Sequence, residues 1–384
     1  MVRHAPGVAQ GRARQAAPLT PAQARLLLSP EGRAAVDRAS GLAVGTIAAA
    51  EAMRPLGEAG RLALEQVGLR RRALAKHPDG DRLWWTAEAL EQSTPRTVAL
   101  HRAARYDGAD RVLDLGCSVG GDLICFGDRG IGVDLDEARC VLARANTGAP
   151  VACADVTTLD VRGWVFADPA RRHGGRRGFD PETWSPPLSA VLAWDTVGLG
   201  VKVAPGIDHD ALPSDVEVEI TSLDGDVKEA VLWRGATTSG RRMTATLLPS
   251  GAQLHGTGAV AAVGPVGRYL LEPDGAVIRA HLVAEVCDLV AGRLVDATIA
   301  YVTADAVTPT PLGRWYEVLD VMPFSLKRLR AALRGVGTVA IKKRGTAVEP
   351  ERLRKQLKLS GSGSATVVLT RVAGAQTALL VEPL

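Results

Sequence analysis

The chain has 384 residues, 46% of them apolar and 4% aromatic, with a formal net charge of +4: enough for two or three domains whose cores rest on Leu, Val and Ala. Its five cysteines are odd in number and include no CxxC pair, which excludes a disulfide framework and a zinc site and fits free thiols in a reducing cytoplasm. No apolar run approaches the ~20 residues of a membrane span and the N-terminus lacks an apolar signal core, so a soluble cytoplasmic protein is expected, with neither membrane nor metal among its partners.

Residues 1–18 are small, polar and basic, and are expected to be disordered. From Thr20 to His77 apolar positions recur at three- and four-residue spacing, punctuated by Pro30, Gly57 and Pro78, which predicts a small helical N-terminal domain over 1–81. A further helix over 82–105 leads into the first strand. Gln92, Ser93 and Thr94 on it either touch a cofactor or simply cover the sheet, and His101 reads as a helix-face residue.

The organising stretch is 111–136. An apolar run at Val112 and Leu113 predicts a buried strand, and the chain then turns through Gly116, Gly120 and Gly121 into a short helix. A second strand over 130–133 ends on Asp134. Glycines let the backbone approach a ligand closely, and an acidic residue about 20 positions on can bind a ribose hydroxyl pair, so the layout is that of a nucleoside-cofactor pocket. A dinucleotide site usually has an apolar residue where Asp114 stands and a glycine where Ser118 stands.

A helix over 136–146 and a third strand over 151–154 follow, ending in Asp155-Val156. The fourth strand, 164–167, ends in Asp168-Pro169-Ala170-Arg171-Arg172, at the carboxyl edge where open parallel sheets bind ligands. The loop after it is basic, glycine-rich and longer than most such connections. A helix over 188–197 and a fifth strand over 200–203 complete the parallel core; Lys202 in that strand either orients a substrate or, by default, is exposed. Residues 216–220 and 229–233 alternate apolar and polar about an Asp-Gly turn and predict an antiparallel hairpin. Strands and a helix over 276–290 are expected beyond it.

The prolines of 308–313 predict a linker. The last stretch reads strand, helix, strand, helix, strand, strand, and carries the basic charge: residues 311–384 hold 13 Lys+Arg against 5 Asp+Glu, including five of the eight lysines. Such a module suits contacts to nucleic-acid phosphates, and the 341–345 turn with Lys342, Lys343 and Arg344 is its sharpest feature.

The segment Asp114-Leu-Gly-Cys-Ser-Val-Gly120 resembles the first motif of class I S-adenosylmethionine (SAM) dependent methyltransferases. With the DPARR segment, the helical N-terminus and the basic C-terminus, the whole chain is similar to bacterial members of that class that carry a C-terminal THUMP-like domain. The resemblance implies an α/β fold, with a Rossmann-like class I methyltransferase sheet over 82–307 between the helical domain and a small α+β domain over 308–384. It implies SAM as cofactor, whose cationic amino and sulfonium groups suit an acidic mouth. Asp114, Gly116, Ser118 and Gly120 would line the methionine part, Asp134 the ribose and Asp155 the adenine, with Cys117, Gly121, Leu135 and Val156 completing the set. A helix N-cap is the alternative for Asp155.

Asp168, Pro169 and Arg171 would hold the acceptor in line with the methyl sulfonium, as in the (D/N)PP(Y/F/R) motifs of nucleic-acid methyltransferases. Two positions depart from that pattern: Ala170 replaces the second proline, and Arg171 replaces the aromatic residue that stacks on a flipped base. No cysteine follows, so a cysteine-nucleophile route to carbon is not expected. THUMP domains are RNA-binding modules, so the resemblance implies RNA as partner, contacted by Arg172, Arg176, Lys342, Lys343 and Arg344. The expected activity is methyl transfer to an RNA nucleoside. A SAM-binding protein without transfer, a methyltransferase for proteins or small molecules, and, more distantly, an NAD enzyme are the rival readings.

Overall fold

The computed structural model describes residues 18–170, 172–173, 176–177 and 180–384, with the backbone alone described at 172–173 and 176–177. The expectation of disorder at the N-terminus and the side chains of Arg171, Arg172 and Arg176 lie outside the described residues. By packing, the chain falls into two compact units: residues up to 96 together with 114–159, and 97–113 together with 160–384. The three segments read from the sequence are a division by motif, and the packing cuts the chain elsewhere.

The first unit opens with helices whose starts are written in the sequence. Thr20 caps α1 (Pro21–Leu28) through a capping box with Gln23, Ser29 ends α1 and caps α2 (Pro30–Ser40), and Thr46 caps α3 (Ile47–Met53). Proline opens both α1 and α2, where its missing N–H would have had no intrahelical partner. α4 (Gly57–Ala73) and α5 (Ala87–Gln92) follow. Leu27, Val36, Met53, Leu62, Trp84 and Trp85 share one core with Val119, Ala138 and Leu142, so these helices are built into the segment that carries the glycine loop. The single helix expected over 82–105 is two. Pro95 keeps its predecessor out of the helical region, and α6 (Arg96–Ala103) starts afresh after an extended Ser93. β1 (Val112–Leu115), β2 (Gly130–Asp134), α7 (Glu137–Thr147) and β3 (Val151–Cys153) follow, with β2 parallel to β3.

The second unit holds β4 (Gly163–Ala167), the two-residue strands β5 (Arg172–His173) and β6 (Arg176–Arg177), α8 (Leu188–Leu192), β7 (Thr196–Val203), β8 (Glu217–Leu223), β9 (Asp226–Gly235), β10 (Met243–Leu248) and β11 (Ala252–His255). β4 and β7 are parallel, and β9 runs antiparallel to both β7 and β8. β8 therefore returns to the direction of β7, and of the two strands read as an antiparallel pair only β9 opposes the parallel core. The Asp-Gly turn is as expected: Asp224 and Gly225 have φ of 53° and 84°, the double positive φ of a tight hairpin turn. α8 is half the expected length, and β7 starts four residues earlier than read.

A second sheet has the order β13-β14-β12-β15-β18-β17-β16, where β12 is Tyr269–Pro273, β13 Arg293–Asp296, β14 Ile299–Ala304, β15 Gly313–Pro323, β16 Gly335–Lys343, β17 Gly361–Val372 and β18 Ala375–Pro383. The 308–313 stretch read as a linker thus joins two strands of one sheet. The helix expected over 276–290 is split into α9 (Gly275–Arg279) and α10 (Val283–Leu289) by His281, whose φ of 59° no helix accommodates. Successive side chains of β17 point to opposite faces. Val367 and Leu369 pack under α11 (Leu326–Ala332) and α12 (Pro350–Leu357) with Leu329, Leu353 and Leu357, while Val368 joins Leu270, Tyr301, Tyr316 and Leu379 on the other side.

Candidate functional site

In the first unit the glycine loop is anchored on the end of β2. The N–H groups of Gly116 and Cys117 both donate to the carbonyl of Val133, at 2.8 and 3.1 Å. Gly116 and Gly120 have φ of 87° and 86°, and Ser118 between them is also left-handed at 51°. For a serine that conformation costs about 1–2 kcal/mol, and it survives because its N–H donates to Asp134 Oδ2 at 2.8 Å. The other oxygen of Asp134 accepts from the Asp136 N–H at 2.9 Å. Each carboxylate oxygen has two acceptor directions, so both retain one for a ligand hydroxyl. A Cβ on Gly120 would lie 2.7 Å from Thr147 Cγ2, so glycine there is required by packing on α7 as well as by φ.

The other expected cofactor residues distribute as follows. Asp114 is buried at 1% exposure, on the strand that feeds the loop. Leu135, next to Asp134, is 72% exposed, an apolar side chain held out beside the carboxylate. The Cys117 thiol is buried, and burial, reinforced by Asp114 and Asp134, pushes its pKa up, so Cys117 has only its backbone to offer. Gly121 faces Ser93, whose Cβ is 3.9 Å from where a Gly121 Cβ would stand. Ser93 Oγ in turn lies 3.0 Å from Nε2 of the buried His77, which burial, then Arg96, lowers to about 4. Asp155 is exposed, and its Oδ1 accepts from both the N–H and the hydroxyl of Thr157, at 2.9 and 2.7 Å. That is the N-cap arrangement, ahead of a short helical turn that includes Val156.

In the second unit β4 delivers Asp168 and Pro169, and Ala170 forms a bridge with Ser185. Lys202, whose default reading was an exposed strand lysine, is 7% exposed, and its Nζ donates to Asp168 Oδ2 at 2.7 Å. β7 is inside the sheet, with β4 on one side and β9 on the other, so a lysine there keeps its charge only beside a carboxylate. His101 is likewise no simple helix-face residue. Its Nε2 is 2.7 Å from Oε1 of Glu219, a residue 1% exposed that also accepts from Arg105, Trp233 and Thr246, at 3.0, 2.9 and 2.6 Å. Alternation along β8 marks Glu217 and Glu219 as one face, but nothing in the periodicity says that His101 of α6 and Arg105 just after it would be brought to them.

Residues 313–383 match the THUMP domain-like family. Two uncharacterized S-adenosylmethionine-dependent methyltransferases of Mycobacterium tuberculosis, from strains CDC 1551 / Oshkosh and ATCC 25618 / H37Rv, are each 37% identical to the chain over 333 residues, covering 80% of it and 92% of the relative. The chain belongs to this family of SAM-dependent methyltransferases. A crystal structure of a candidate methyltransferase from Porphyromonas gingivalis W83 shares the fold, with a TM-score of 0.71 over 93% of this chain and 97% of that one at 21% identity.

The methyltransferase's cofactor, SAM, supplies an electrophilic methyl group on a sulfonium. The loop's chemistry fits it: two carboxylates, Asp114 and Asp134, on neighbouring strands offer the acceptors that a cationic amino acid and a ribose would need, and Ser118 occupies the place a pyrophosphate would reserve for glycine. Among the described residues no group of three or more His, Cys, Asp or Glu is arranged to hold a metal, and no helix is long and apolar enough to cross a membrane.

The basic turn of the methyltransferase's C-terminal module is more occupied than its sequence implied. Lys342 Nζ donates to Glu272 at 2.6 Å and lies 5.6 Å from the Tyr316 ring. Arg344 donates to the Ala300 carbonyl at 3.1 Å and stacks over Tyr301, and Lys343 is 3.4 Å from Glu349. The turn lies against β12 and β14, which precede the domain boundary expected at 308. Exposed cations gather instead on α11 and α12 and just past their ends: Lys327 and Arg328 on α11, Arg334 beyond it, Arg352 and Lys355 on α12, and Lys358 at its C-cap. Arg330 ties these helices together by donating to the Gln356 carbonyl at the end of α12.

Proposed function

We propose that this SAM-dependent methyltransferase acts on an RNA nucleoside. In this reading Asp114, Gly116, Ser118, Gly120 and Asp134 bind the cofactor, with Leu135 and the Asp155-Val156 turn at the adenine, and Asp168 and Pro169 hold the acceptor. RNA is recruited by the C-terminal module. The observation that carries the RNA reading is the α11/α12 face, where the side chains of Lys327, Arg328, Arg334, Arg352, Lys355 and Lys358 make no hydrogen bond or ion pair among the described residues, while Lys342 and Arg344 are held within their own sheet. Unpaired exposed cations are what phosphate neutralisation requires, and the THUMP-like match covers all six.

Nucleoside analysis of total RNA from cells with and without the gene tests it. One modified nucleoside is expected to vanish on deletion, to return with the wild type, and not to return with Asp168→Ala. A Lys327/Arg328/Arg352/Lys355→Ala variant is expected to bind RNA more weakly, with the slope of log affinity against log salt reduced by roughly 0.7–0.9 for each lost phosphate contact. An RNA pool unchanged by deletion, with an unchanged salt slope, would leave a protein or small-molecule substrate as the better reading.

A further inference from the structure

The Asp168–Lys202 pair is unusual in where it stands. Asp168 follows the last residue of β4, at the edge where parallel sheets bind ligands, and its side chain is 27% exposed. Lys202 is one residue from the end of β7 and approaches from within the sheet, its side chain 8% exposed. The two carboxylate oxygens are therefore unlike. Oδ2 is held by a buried ammonium at 2.7 Å, and Oδ1 makes no hydrogen bond among the described residues.

We propose that Lys202 is a positioning residue for methyl transfer: it clamps one oxygen of Asp168 so that the other accepts a hydrogen bond from the acceptor group, and the atom methylated therefore bears N–H or O–H and is not a carbon. This rests on the assignment of Asp168 to the acceptor site. An ionised carboxylate accepts hydrogen bonds and donates none, so it can orient only a donor, and a C–H offers it almost nothing. A fixed carboxylate also sets the lone pair of that donor in one direction, which is the geometric requirement for in-line displacement. As the acceptor lone pair forms the bond to the methyl carbon, the carbon–sulfur bond breaks and its electron pair stays on sulfur. The N–H or O–H proton passes to Oδ1 of Asp168 and from there to water. Charged groups on this face of the sheet, among the described residues, include Glu229 of β9, two residues along from the Val231 that pairs with Lys202, with Arg102 of α6 bonded to it. They also include Glu219 of β8, which pairs with the same Val231 and is held by His101 and Arg105, and Glu217 two residues from it, also held by Arg105.

The test uses the full-length protein with methyl-labelled SAM and, as acceptors, total RNA, total protein and a small-molecule extract from cells lacking the gene. In whichever fraction the wild type labels, Lys202→Met is expected to lower kcat on the order of 100-fold while leaving SAM affinity within about threefold, and the acid limb of its pH–rate profile is expected to move to higher pH. Lys202→Arg is expected to recover much of the loss and to restore the acid limb. The labelled product is expected to be an N-methyl or O-methyl compound. Labelling of protein or extract in place of RNA would sink the RNA reading and leave this one standing. Label on carbon, an unshifted acid limb, equal losses of kcat and SAM affinity, or no labelling in any fraction would overturn it. If Lys202→Met does not fold, Lys202→Arg and Lys202→Gln carry the comparison, and an unshifted acid limb in Lys202→Gln counts against it equally.

Discussion

Glu219 allows a calculation from structure to measurement. Burial alone would raise its pKa, but His101, Arg105 and the Thr246 hydroxyl more than offset that and hold it at about 2, against 4.5 for a free glutamate. At about 1.4 kcal/mol for each tenfold change in proton affinity, the carboxylate contributes about 3 kcal/mol to folding. Because the folded value is the lower one, that contribution is complete above pH 4.5 and is lost as the pH falls from there towards 2. Glu219→Gln keeps the shape but turns an amide N–H towards a site lined by donors, Arg105, Trp233 and Thr246. Urea unfolding followed by tryptophan fluorescence is expected to show the variant about 3 kcal/mol less stable at pH 7, the range measured when one partner of a buried pair is removed. At pH 3, where the wild type has itself lost about 2 kcal/mol of this contribution, the difference is expected to shrink to about 1 kcal/mol. An equal difference at both pH values, or one below about 1 kcal/mol at pH 7, would show that Glu219 is not held by its charge.

Two further outcomes follow from the glycine loop. Gly120→Ala places a Cβ at φ 86° and 2.7 Å from Thr147 Cγ2, so it is expected to cost about 1–2 kcal/mol from the backbone alone and more from the clash; an unchanged melting temperature would contradict the packing described. Asp134→Asn cannot accept from both the Ser118 and the Asp136 N–H groups, because one oxygen becomes an N–H₂. Calorimetry with S-adenosylhomocysteine is expected to show affinity falling at least tenfold, on the order of the 1.5–3 kcal/mol that a charged hydrogen bond contributes; undiminished affinity would remove Asp134 from the ribose site.

Much of this protein was readable in one dimension because its signals are local. Thr20, Ser29 and Thr46 start helices through hydrogen bonds that reach only three residues along the chain, and the turn at Asp224 and Gly225 requires only its own two dihedrals. The loop from Gly116 to Gly121 and the aspartate ending β2 belong to the same class, since backbone conformation and a short spacing define them. The element order of the C-terminal module was legible by alternation for the same reason.

What contacts across the sheets decide was hidden. Lys202 looks like any strand lysine until β4 and β9 close on either side of it and set its ammonium against the Asp168 carboxylate. Lys342 and Arg344 look like free cations until β12 and β14 bring Glu272 and Tyr301 to them, and His101 looks like a surface residue until Glu219 arrives from β8. A chain records its periodicity and its turns, whose energies are settled within a few residues. It does not record which charge will be desolvated beside which, because that free energy exists only once distant strands have excluded water between them.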